Sequence, residues 1–157
     1  MENQKEYDEE FLVNVREITI EEAFEVHGRV LEFDELAVLD EFIERYTGKT
    51  HVIIGAYLED KLIGYIIGYD KHQDKERFYI WMAGVDNNYR RRGALRQMMN
   101  YVESWAKEKG FTKLAIKTRN NRREMLSFLC KNNFNFTSVE TREDVRENRI
   151  ELERDIL

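Results

Sequence analysis

FYIWMAGVDNNYRRRGALRQMM, residues 78–99, begins as an almost unbroken apolar run and turns at Asp86-Asn87-Asn88. Three arginines then stand against a lone glycine, and good helix formers follow. The apolar part reads as a buried strand. Beyond Gly93, residues Leu95, Met98, Met99, Val102, Trp105 and Ala106 recur at three- and four-residue steps, which predicts an amphipathic helix ending near Gly110. Strand, short loop, glycine and helix is the layout of an anion cradle. The first N–H groups of a helix lack partners within it, and its dipole adds partial positive charge there. Gly93 has no Cβ to keep a phosphate off the backbone. Arg90, Arg91 and Arg92 supply guanidinium forks suited to phosphate oxygens.

This is the densest positive charge in a chain of 157 residues whose net charge is −6. The charge is divided unevenly: residues 1–60 carry 17 acidic and 5 basic side chains, residues 61–157 carry 14 and 20. Two binding faces of opposite sign are the expectation. The acidic balance argues against a nucleic-acid binder, and no apolar run approaches the length of a membrane span. A single cysteine, Cys130, leaves no intrachain disulfide or Cys-based zinc site, so a cytoplasmic location is expected. His27, His51 and His72 have no ligand spacing, and no metal is expected. Cys130 reads as a small packed residue.

Outward from the opening stretch, residues 11–19 read as a strand and 20–33 and 36–49 as helices. Residues 51–60 and 61–70 are two strands joined by a turn, 77–86 a third, and 113–120 a fourth. Residues 122–133 form a helix, and 136–143 and 148–156 a closing antiparallel pair. The order β-α-α-β-β-β-α-β-α-β-β predicts an α/β layered domain over 1–157, with a mixed, mostly antiparallel sheet, helices on both faces, and a flexible polar tail at 1–10. GxxxxGK[ST] and GxGxxG are absent, which excludes a P-loop and a dinucleotide fingerprint.

Arg90-Arg91-Arg92-Gly93-Ala94-Leu95, after a strand ending in Val85, resembles motif A of the GNAT superfamily of N-acetyltransferases, [Q/R]-x-x-G-x-[G/A]. LSFLCKNNF (126–134) resembles that family's LYEKLGF motif, and the element order agrees over 11–157. The resemblance implies acetyl-CoA as co-substrate and an amine acceptor, small-molecule or peptide, attacking directly in a ternary complex. A CoA-binding module with weak or no catalysis is the alternative, and a homodimer is compatible. By the same resemblance the backbone amides of Arg91 through Leu95 hold the pyrophosphate beside Arg90, and the pantetheine arm pairs with Ala83, Gly84 and Val85. The Val85 N–H serves as oxyanion donor, and Asn120 or Asn121 reaches the pantetheine amides. Three positions depart from the family pattern. Leu95 replaces a small residue, Asn133 replaces the glycine of LYEKLGF, and Leu129 (or Phe128 at a one-residue offset) stands where a tyrosine usually protonates the leaving thiolate.

The acceptor wall is expected around the first two helices. There Glu32, Asp34 and Glu35 at the helix break would draw an ammonium group, with Glu32 or Asp34 as base. Phe33, Tyr79 and Trp81 are expected to line the pocket.

Overall fold

The computed structural model describes residues 9–30 and 38–156. Seven strands form one sheet: β1 (Asn14–Glu17), β2 (His51–Leu58), β3 (Lys61–Tyr69), β4 (Arg77–Val85), β5 (Lys113–Arg119), β6 (Asn135–Glu140) and β7 (Arg149–Asp155), in the order β1-β2-β3-β4-β5-β7-β6. Among the described residues, only β4 and β5 pair in parallel. The helices are α1 (Ile20–His27), α2 (Leu39–Tyr46), α3 (Ala94–Glu108) and α4 (Arg123–Lys131). The element order is the expected one.

The two helix pairs bury opposite faces. Met98, Met99, Val102 and Ala106 of α3 and Leu126 and Leu129 of α4 pack with Ile54, Ile66, Phe78, Ile80, Leu114 and Leu152. Ala23 and Val26 of α1 and Phe42 and Tyr46 of α2 pack with Tyr65, Ile67, Tyr69, Tyr79 and Ala115. A 15-residue α3 with every third or fourth side chain buried is what its periodicity demands.

Several boundaries differ from the sequence reading. α1 starts cleanly, because Thr19 and Glu22 cap each other reciprocally. It ends at His27 instead of continuing to 33. Gly28 follows, and Arg29 is drawn off the helix by Asp86 and the Leu62 carbonyl. α2 starts at Leu39 and ends at Tyr46, where Thr47 Oγ1 donates to the Ile43 carbonyl. β1 is shorter than 11–19, because Phe11 and Val13 bond to α3 and its loop instead of to β2. Cys130 is exposed, not packed. Buried Leu126 and Leu129 set the inward face of α4, and the position after Leu129 turns away from it. Asn133 does adopt the left-handed conformation, φ +65°.

Candidate functional site

The site is built where β4 and β5 part. Their last parallel partners are Ile80 and Ile116, and β4 continues to Val85 without β5. The parting coincides with a bulge. Ile67 of β3 faces Met82 while Gly68 faces Ile80, so Trp81 is the extra residue. Past the bulge, the Asp86 N–H donates to the Ile63 carbonyl at 2.7 Å. Antiparallel alternation then turns Gly84 and Met82 toward β3, and turns the N–H and C=O groups of Ala83 and Val85 into the gap. The Val85 carbonyl is taken by Arg90 Nε at 3.1 Å.

The gap leads to the arginine loop. Gly93 has φ +85° and precedes α3 without any side-chain cap. Among the described residues, no protein acceptor takes the N–H groups of Ala94, Leu95 and Arg96. Ala94 is buried and Leu95 packs against the α3-side core. The four nearby arginines split into two pairs. Arg91 (φ +61°) binds Glu124 of α4 at 2.7 Å, and Arg90 stands 3.8 Å from the same carboxylate. Arg92 instead grips the N-terminal segment: its Nε donates to the Glu9 carbonyl, its guanidinium covers the Phe11 ring at 4.2 Å, and its carbonyl accepts from the Phe11 N–H. Arg96 pairs with Glu10 at 2.6 Å. Gln97 Nε2 donates to the Phe11 carbonyl at 2.6 Å, and Gln97 Oε1 accepts from the Val13 N–H. A Cβ on Gly93 would come within 3.1 Å of Glu10 Cδ, so the glycine admits this close approach. Residues 9 and 10, expected to belong to a flexible tail, thereby bond to Arg92 of the loop and to Arg96 of α3.

Asp86, overlooked in the sequence, is the buried acid of the site. Its Oδ2 pairs with Arg29 at 3.1 Å, and its Oδ1 accepts from the Asn88 N–H and turns the loop. Arg29 also donates to the Leu62 carbonyl at 2.8 Å, so the end of α1 is tied to the end of β4. Asn120 and Asn121 have partners of their own: Asn120 Nδ2 donates to the Val145 carbonyl and Asn121 Nδ2 to Glu147. Leu129 is fully buried and Phe128 packs against the same core, so neither position offers a proton.

On the opposite face, Trp81 is half-buried and packs edge-on against Phe42. Tyr79 is buried, and burial pushes its hydroxyl pKa up to about 12. His27 and Tyr65 share a buried hydrogen bond of 2.5 Å. Burial holds His27 below the ordinary histidine range and Tyr65 well above the ordinary tyrosine range. Glu32, Phe33, Asp34 and Glu35 lie outside the described residues. Among the described residues there is no cluster of three or more potential metal ligands, and no helix is long and apolar enough to cross a membrane.

No curated protein matches the chain. Solved structures share its fold. Ard1 from Thermoplasma volcanium is 18% identical over 92% of this chain and 98% of its own, with a TM-score of 0.76. The ribosomal-protein-S18-alanine N-acetyltransferase from Escherichia coli is 14% identical over 92% and 94%, with a TM-score of 0.77. A GNAT acetyltransferase from Elizabethkingia anophelis with acetyl-CoA bound is 19% identical over 91% and 97%, with a TM-score of 0.70. The acetyltransferase (GNAT) family profile matches residues 12–134, spanning the parted strands, the arginine loop and α4, and the chain therefore belongs to the GNAT family of acetyltransferases.

Proposed function

We propose that this enzyme moves an acetyl group from acetyl-CoA to a primary amine by direct attack within a ternary complex. One observation carries the reading: the N–H groups of Ala83 and Val85 face a gap that leads straight to the uncapped N-terminus of α3. The residues fit the co-substrate. Gly93 carries no Cβ on the face where the Glu10 side chain lies, Ala94, Leu95 and Arg96 offer N–H donors, and Arg90 and Arg91 add charge beside them.

Acetyl-CoA supplies a thioester whose carbonyl carbon an amine lone pair can attack, with CoA leaving as a thiolate. The chain's part is positional and electrostatic. With the phosphates at Gly93, the extended arm runs back along β4. Val85 then donates to the arm, and Ala83, nearer the parting, donates to the carbonyl oxygen as negative charge develops. On this reading the oxyanion donor is Ala83, two residues before the Val85 that the resemblance implies. The amine must lose a proton, and Glu32 or Asp34 remains the proposed base. No tyrosine stands at the Leu129 position to protonate the thiolate, which leaves that step to solvent.

Thermal unfolding with and without acetyl-CoA tests the reading, because a ligand bound only by the folded state raises Tm. A rise is expected, and an unchanged Tm at millimolar acetyl-CoA would remove the proposal. The burial of Leu129 favours a second reading, a CoA-binding module without turnover. A Tm rise with no thiol release across an amine panel would establish it.

A further inference from the structure

Three aromatic rings lie side by side where β4 and β5 part: Tyr79 and Tyr69 at 5.7 Å between centroids, and Tyr69 and Trp81 at 6.2 Å. Each is covered by a cation. The Arg45 guanidinium stands 5.0 Å from the Trp81 ring, Lys49 Nζ 5.3 Å from Tyr69, and Lys71 Nζ 4.5 Å from Tyr79. None of the three cations has a carboxylate at ion-pair distance among the described residues. Glu140 and Glu151, on the neighbouring strands, are engaged by Lys117 at 2.8 Å and 3.8 Å. Crowding is felt locally: burial, and then the Lys117 charge, draw the Lys71 pKa below the ordinary lysine range.

An aromatic pocket of this kind could cage an ammonium ion only with its ring faces open. Here the faces are taken by positive charge, so the cluster repels a polycation and attracts an anion. We propose that Arg45, Lys49 and Lys71 form an anion rim beside the acetyl-transfer gap, and that the acceptor is an amine carrying a carboxylate. The rim holds the carboxylate on the α1–α2 face of Trp81, while the amine reaches over the bulge toward the N–H of Ala83. This inference rests on the acetyl-transfer reading and deepens it.

The test follows thiol release at saturating acetyl-CoA for L-leucine and 6-aminohexanoate, each against its carboxamide, with spermidine as the cationic comparator. The acids are expected to exceed their amides roughly tenfold in kcat/KM, the scale of one charge-assisted contact. Amides or spermidine equal to or better than the acids overturn the inference. So does an absence of turnover with all five while acetyl-CoA still raises Tm. Failure of acetyl-CoA to raise Tm removes instead the reading beneath it. In Arg45→Glu/Lys71→Glu the preference should invert toward the amides and spermidine. Both side chains are exposed, so the fold should survive, and the single Gln variants give the same reading in smaller steps. A preference for acids that persists in the reversed protein overturns the rim.

Discussion

Under α3 and α4 the sheet is packed with Val, Ile, Leu, Met and Phe, whereas under α1 and α2 it buries four tyrosines, Tyr46, Tyr65, Tyr69 and Tyr79, with His27 among them. The first face has few polar groups to satisfy, and its order follows from area alone. The second must place hydroxyls and an imidazole away from water, so each needs a defined partner, as Tyr65 has in His27. The face that presents the arginine loop is thus generic in its packing. The face proposed to meet the acceptor is specific in its polarity.

Asp86 joins the two, and its loss should have the largest effect. Asp86→Ala leaves Arg29 without its carboxylate at the end of α1, and about 3 kcal/mol of stability should go, read from urea unfolding. An effect below about 1 kcal/mol would mean that the faces are fastened independently. Gly93→Asp comes next, through binding. It sets a carboxylate beside Glu10 and the incoming phosphates, and calorimetry should show CoA affinity down by about a hundredfold, or 2.7 kcal/mol. Unchanged affinity in a folded protein would put the pyrophosphate elsewhere.

Leu129→Tyr probes the aliphatic face. At a fully buried site the added ring should overpack the core by about 2 kcal/mol, lowering Tm without raising kcat. A gain in kcat would show that α4 can present a donor after all. Tyr65→Phe probes the other face. It removes the hydroxyl from His27 and should cost about 1 kcal/mol by chemical denaturation. A pH dependence accompanies it. Burial depresses the folded pKa of His27 below 6.5, so as pH falls the unfolded chain takes the proton first. Stability is therefore full above pH 6.5 and declines below it, and His72, depressed chiefly by burial, adds to the same slope. His27→Gln should flatten that slope, and an unaltered one would assign it to His72 alone. Glu10→Gln should have the smallest effect on the fold, under about 0.5 kcal/mol for an exposed pair. It should nonetheless tighten CoA binding slightly, since a carboxylate leaves the rim of an anion site. Weaker binding would instead make Glu10 a support of the loop.

How much of this was legible in advance follows from what is local. The burial of Met98, Met99, Val102 and Ala106 was written in the spacing of α3, and the left-handed Asn133 in its residue type. The Arg29–Asp86 pair spans 57 positions and the His27–Tyr65 bond 38, and neither leaves a periodic trace. The fastening of Glu9 to Val13 was missed because a polar, acidic start reads as solvated until Arg92, Arg96 and Gln97 are brought beside it. Tyr79 and Trp81 were found as aromatics on a strand. The cations above them come from α2 and two loops, and only the tertiary fold assembles them.

The extra residue at Trp81 also fixes the phase of β4. Before it, Phe78 and Ile80 face α3 while Tyr79 faces α1 and α2. After it, Met82 joins the α1–α2 side, and the odd-numbered Ala83 and Val85 take over the α3 side. The strand is therefore read in two frames joined at one position, and chain length matters there more than side-chain identity. A residue could be exchanged at 81 with local consequences only. Deleting it would leave Met82 to Asp86 opposite the same β3 residues but would remove the bulge itself, and with it the break in alternation that coincides with the parting of β4 from β5. An engineer recombining this strand with that of another protein should count residues before comparing them.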